Sequence, residues 1–85
     1  MDKTMFYVYV RKHEVPEFVN MTSQLSVPVE VSHMNMVVSG KSLMGMYEIC
    51  LRGRILVHFP NGYSEDDEKI IDKIISRWIA LEATE

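Results

Sequence analysis

The chain has 85 residues, a formal net charge of −3 and one cysteine; nearly half of it is apolar and a quarter charged. That mix belongs to a single globular domain over residues 1–85 rather than to a disordered chain, and the negative balance gives no support to nucleic-acid binding. Cys50 can form no internal disulfide and reads as a small buried hydrophobe; with no apolar run near the ~20 residues of a membrane span and no signal peptide at the start, a soluble cytoplasmic protein is expected.

Met5 to Val10 is aromatic and β-branched, which predicts a first strand. Arg11 to Glu14 reads as a short charged connection. Pro16 fits the first turn of a helix, where its missing N–H is no loss, and Val15, Phe18, Val19, Thr22 and Leu25 then fall on one helical face. That helix is expected to stop near Ser26, because Pro28 disfavours helical geometry at Val27. Val29 to Ser32 alternates as a second strand, and a turn near His33-Met34-Asn35, with Asn35 as the residue that tolerates left-handed backbone, leads to a third strand from Met36 to Ser39.

The stretch from Met36 to Met46 then reads as a strand end turning directly into a short helix. Gly40 gives the backbone freedom to bend, and Ser42 stands where a hydroxyl accepts from the free N–H groups that open a helix. Leu43, Met44, Met46 and Ile49 form its apolar stripe, to about Ile49. Leu51-Arg52-Gly53 breaks that helix, Arg54 to Phe59 is a fourth strand, and Pro60-Asn61-Gly62 is a turn. Ser64 caps a last helix with Glu65, Asp66 and Asp67 in its first turn, followed by a stripe of Ile70, Ile71, Ile74, Ile75, Trp78 and Ile79. The order β-α-β-β-α-β-α predicts an α+β fold, an open-faced sandwich with a four-stranded, mostly antiparallel sheet and three helices on one face.

This order, with Gly40-Lys41-Ser42-Leu43-Met44-Gly45-Met46, resembles HPr, the histidine-containing phosphocarrier of the phosphoenolpyruvate-dependent sugar phosphotransferase system of bacteria. Lys41 to Met46 matches the family's Lys-Ser-(Leu/Ile)-Met-Gly-(Val/Leu/Met) segment throughout. Phe18-Val19 matches the Phe-Val of the first family helix at the family's spacing from the serine, and Ser64 to Glu68 matches the acidic start of its last helix. The resemblance implies a protein without catalysis of its own. Its partners would be other proteins: Enzyme I, sugar-specific acceptor proteins, a serine kinase or a transcriptional regulator. No cofactor, metal, nucleic acid or membrane is expected.

In the family the phosphoryl group rides on a histidine in a Gly-(Leu/Ile)-His-(Ala/Thr)-Arg-Pro-Ala loop. Here Arg11-Lys12-His13-Glu14-Val15-Pro16-Glu17 keeps the histidine and the proline but loses the glycine, the arginine and the small residue. The distance from His13 to Phe18 is two residues shorter than the family's, and without a gap Arg11 falls opposite the histidine. A phosphohistidine needs donors for its phosphoryl oxygens, which Val15 does not supply. Glu14 and Glu17 would add repulsion approaching several kcal/mol at ~4 Å, partly offset by Arg11 and Lys12. His13 is therefore a candidate phosphoryl acceptor at an impaired site, or an exposed loop histidine without special role.

Ser42 corresponds to the serine that a dedicated kinase phosphorylates in many Gram-positive relatives. A phosphate there would lie at the positive end of the short helix with Lys41 beside it. Met44, Met46 and Tyr47, expected to be exposed, would form with Lys41 the partner-binding surface. The plainer alternative makes Ser42 only a helix cap and the methionines partly core.

Other signals fail. Ser39-Gly40-Lys41-Ser42 is similar to the end of a phosphate-binding loop, but that motif needs a glycine where this chain has Asn35. His13, His33 and His58 lack metal-ligand spacing, and His58 alternates out of the apolar face of its strand. Two readings thus stand beside a divergent regulatory or docking member: a working phosphocarrier through His13, and a purely structural interaction module.

Overall fold

The computed structural model describes residues 2–80. Four strands, β1 (Met5–Tyr9), β2 (Glu30–His33), β3 (Met36–Ser39) and β4 (Arg54–His58), alternate with three helices, α1 (Val15–Thr22), α2 (Leu43–Ile49) and α3 (Glu65–Trp78). The strands form one antiparallel sheet in the order β1-β4-β2-β3. This is the α+β open-faced sandwich that the alternation of elements predicts.

Period-two alternation sends one side of each strand into the core. Phe6 and Val8 of β1, Val31 of β2, and Ile55 and Val57 of β4 are buried. They meet Val15 and Phe18 of α1, Met46 and Ile49 of α2, and Ile71, Ile74 and Trp78 of α3 in one cluster. Burying each such side chain contributes about 1.5–3 kcal/mol before entropy is subtracted. Phe18 stands edge-on to Trp78, with ring centroids 5.2 Å apart, and this contact joins α1 to α3.

The opposite side of the sheet carries no helix. Tyr7 pairs with Leu56, Leu56 with Ser32 and Ser32 with Val37, so these four residues make a row across that open face. The outer edge of β1 is partly covered by the chain leaving α3. Val8 bridges to Ile79, and the Ala80 N–H donates to the Tyr7 carbonyl at 2.9 Å.

Several boundaries differ from the sequence expectation. Helix α1 ends at Thr22, a turn before Ser26, because the buried Thr22 hydroxyl donates to the Gly40 carbonyl at 2.7 Å. Turns at Gln24 and Leu25 then replace the helix, though Leu25 stays in the core. Strand β1 stops at Tyr9, and the supposed connection at Lys12–Glu14 is a 3₁₀ turn that runs straight into α1. In the β2–β3 turn it is Met34, with φ of 55°, that takes the left-handed conformation, rather than Asn35. The His33–Met36 pairing leaves a two-residue loop, and such loops need a positive φ at the first position whatever residue stands there.

Candidate functional site

The segment between β3 and α2 is tied down at every residue. Gly40 donates to the Val29 carbonyl at 2.7 Å and accepts from Thr22. A Cβ on Gly40 would lie 2.6 Å from Val29 Cγ1, so glycine is required here for close approach rather than for freedom to bend. The Lys41 ammonium donates to the Leu25 carbonyl at 2.7 Å. Its side chain therefore anchors the end of the loop after α1, whereas the sequence reading sets Lys41 beside Ser42 in the partner surface.

Ser42 has extended backbone and is the N-cap of α2, its hydroxyl oxygen accepting from the Gly45 N–H at 3.0 Å. A Cβ on Gly45 would stand 3.0 Å from Val38 Cβ and 3.2 Å from Ser42 Oγ. The two glycines thus let the turn and the first coil of α2 lie close on the sheet. Ser42 remains half-buried at the surface.

The partner surface expected on α2 needs correction. Met46 is fully buried and belongs to the core, with Ile49 and Cys50. Met44 is 79% exposed, Leu43 46% and Leu51 71%, while Tyr47 is half-buried against the core. At 3.6 residues per turn, positions 43, 47 and 51 share one stripe with 44 beside it, and 46, 49 and 50 share the other. Residue type alone made the two methionines look equivalent; the spacing separates them. Leu51, which the sequence reading places only in the break after the helix, completes the exposed stripe.

His13 is exposed within the 3₁₀ turn. Within that turn the Glu14 N–H donates to Arg11 O and the Val15 N–H to Lys12 O, so the two amides that follow His13 are already bonded. Pro16 has no N–H, and the Arg11 N–H donates to the Glu14 carboxylate at 3.1 Å. Val15 is buried and offers nothing to a ligand.

The pairing of Arg77, in the C-terminal half of α3, with Glu17 sixty residues earlier is not legible in the sequence. Both its terminal nitrogens donate to the Glu17 carboxylate, one of them at 2.8 Å, and the guanidinium lies 3.7 Å from Glu14. The hydrogen bond from Arg77 holds the Glu17 carboxyl below its ordinary pKa. The two glutamates expected to repel phosphate are thus paired in part across α1 and α3.

Asp67 is likewise more than a cap residue. It is buried, and its carboxylate accepts from the Ser26 N–H at 2.9 Å and the Ser26 hydroxyl at 2.7 Å, as well as from Ser64. These bonds, led by the Ser26 amide, lower its pKa. Cys50 is buried as expected, and burial pushes its thiol pKa up.

Among the described residues no group of three or more His, Cys, Asp or Glu side chains is placed to hold a metal ion, and no helix is long and apolar enough to cross a membrane. Comparison with protein-family models, curated proteins and solved structures finds no match to this chain.

Proposed function

We propose that this chain is a divergent, HPr-like regulatory or docking protein. Ser42 is its phosphorylation site, the exposed stripe of α2 meets its partner, and the histidine route is impaired. The observation that carries the reading is the contrast between the two candidate sites. Around His13 the amides of Arg11, Glu14 and Val15 are committed to other acceptors and Pro16 has none. Around Ser42 a surface hydroxyl caps α2 next to exposed Leu43 and Met44. A phosphate on Ser42 would keep an acceptor for the Gly45 N–H while adding charge beside an apolar docking stripe. The open-faced sandwich fits the family layout that the resemblance implies, although fold by itself does not assign function.

The test is intact mass after two separate incubations, one with Enzyme I and phosphoenolpyruvate, the other with HPr serine kinase and ATP. An acid-stable adduct only in the second, lost in Ser42→Ala, is the expected result. An acid-labile adduct in the first, lost in His13→Ala, would instead establish a working phosphocarrier. No adduct in either incubation would leave a structural interaction module and overturn the phosphoryl reading.

A further inference from the structure

The open face of the sheet, away from Ser42 and α2, carries a second feature. A cavity of about 530 Å³ opens where the start of β4 meets the β2–β3 turn. That volume lies within the range of small-molecule sites. Its charged lining is all basic: Arg52 and Arg54, with His33, Ser32 and Tyr7 supplying further hydrogen-bonding groups. No Asp or Glu lines it, in a chain whose net charge is −3.

Neither arginine has a carboxylate partner among the described residues. Arg54 lies over the Tyr7 ring, its guanidinium carbon 4.0 Å from the ring centroid. Its Nε is shut off from solvent and has no hydrogen-bond partner among the described residues, a donor left unused at a cost. Arg52 is exposed and separated from Arg54 only by Gly53, whose φ of 92° turns the chain out of the 3₁₀ turn Cys50–Arg52 into β4. Glu30, two residues before Ser32 on the same side of β2, faces His58, with 3.8 Å between carboxylate and imidazole. Leu56 and Met34 provide apolar wall, and Met34 stands 90% exposed on a left-handed backbone position at the rim. An adjoining hollow of about 400 Å³ shares His33, Met34 and Arg52 and continues past Met36.

We propose that this cavity binds a small organic phosphate monoester. The dianionic head would lie between Arg52 and Arg54, within reach of Ser32 and His33, and a compact apolar body would lie against Leu56 and Met34. Two unpaired guanidinium groups match the double charge and the multiple acceptor oxygens of a phosphate monoester better than a single carboxylate. The volume exceeds what a bare phosphate ion needs, and the apolar wall accounts for the remainder. The proposal is independent of the reading of Ser42, which lies on the other side of the sheet.

The test is a titration of the full chain, labelled with ¹⁵N, followed by amide chemical shifts at constant ionic strength and about pH 7.5, where a phosphate monoester is a dianion. The probes are phenyl phosphate, inorganic phosphate and benzoate. Saturable shifts centred on Ser32, His33 and Arg54 are expected with phenyl phosphate, and weaker binding with the other two. Arg52→Gln, at an exposed position that leaves the fold intact, should weaken phenyl phosphate by about tenfold or more. Arg54→Gln should do the same, while Arg77→Gln leaves binding unchanged. Shifts that do not saturate, benzoate or inorganic phosphate binding as tightly as phenyl phosphate, or an Arg52→Gln variant that binds like the parent would each overturn it.

Discussion

Gly40 illustrates how much one absent side chain decides. Val29 is β-branched, buried and stiff, so a methyl group 2.6 Å from its Cγ1 has no flexible neighbour to displace. Gly40→Ala should destabilise the fold by about 1–3 kcal/mol through overpacking. At about 4–8 °C per kcal/mol for a domain of this size, the fall in Tm is readily seen in a melt followed by the fluorescence of Trp78, the single, buried tryptophan. Asp67 is the corresponding polar case. Asp67→Ala leaves the Ser26 amide and hydroxyl without their acceptor and should cost about 2–3 kcal/mol in the same assay. Because the folded pKa of Asp67 is depressed, the unfolded chain takes up the proton first. The stability from this group is therefore full above the unfolded carboxylate pKa of ~3.9 and fades as pH falls through the folded value. Urea unfolding of Asp67→Asn should accordingly show a flatter loss of stability on acidification than the parent; an equally steep acid limb would remove Asp67 from the account.

At the scale of the element, α2 has one buried and one exposed side, and substitutions should separate them. Met46→Ala opens a cavity in the core and should cost about 2–5 kcal/mol, whereas Met44→Ala should change stability by no more than about 0.5 kcal/mol. Ser42→Ala removes the acceptor for the Gly45 N–H and should cost about 1 kcal/mol. Ser42→Asp retains a good N-cap and should melt near the parent, so any change it makes in partner binding reports charge and not unfolding. If Met44→Ala proved as damaging as Met46→Ala in thermal melts, the assignment of the exposed stripe would fail. The turn before α1 works in the opposite sense. By extending the helix backwards as a 3₁₀ turn, Lys12–Glu14 ties the Glu14 and Val15 amides, the two that follow His13, to backbone carbonyls.

Across the whole molecule, the polar side-chain contacts between residues farthest apart along the chain gather on α3. Lys3 bridges Glu68 and Asp72, Asp67 holds the loop after α1, and Arg77 clasps Glu17 and Glu14. The ion pairs lie at the surface, with Lys3 and Glu14 half-buried, and count for little beside the apolar core. Arg77→Gln should lower Tm less than Gly40→Ala does, and that smaller loss should shrink further in about 1 M salt, where charges are screened within ~3 Å. A loss undiminished by salt would instead point to the packing of Arg77 over Trp78, 4.8 Å from that ring.

The sequence by itself determined the element order, the antiparallel sheet under three helices, the cap at Ser42 and the burial of Cys50. These rest on local spacing, turn residues and apolar periodicity, which neighbouring residues carry among themselves. Tertiary structure alone decided what those elements meet. It buried Met46 and left Leu51 exposed, turned Lys41 toward Leu25, and made Gly40 a point of steric contact with Val29. It brought Arg77 to Glu17, Asp67 to Ser26, and Arg52 and Arg54 to the turn at His33 and Met34. These pairings join residues far apart along the chain. Which charge faces which, and which side of α2 meets the core, follow from the packing of helices on the sheet and are not written in the local pattern.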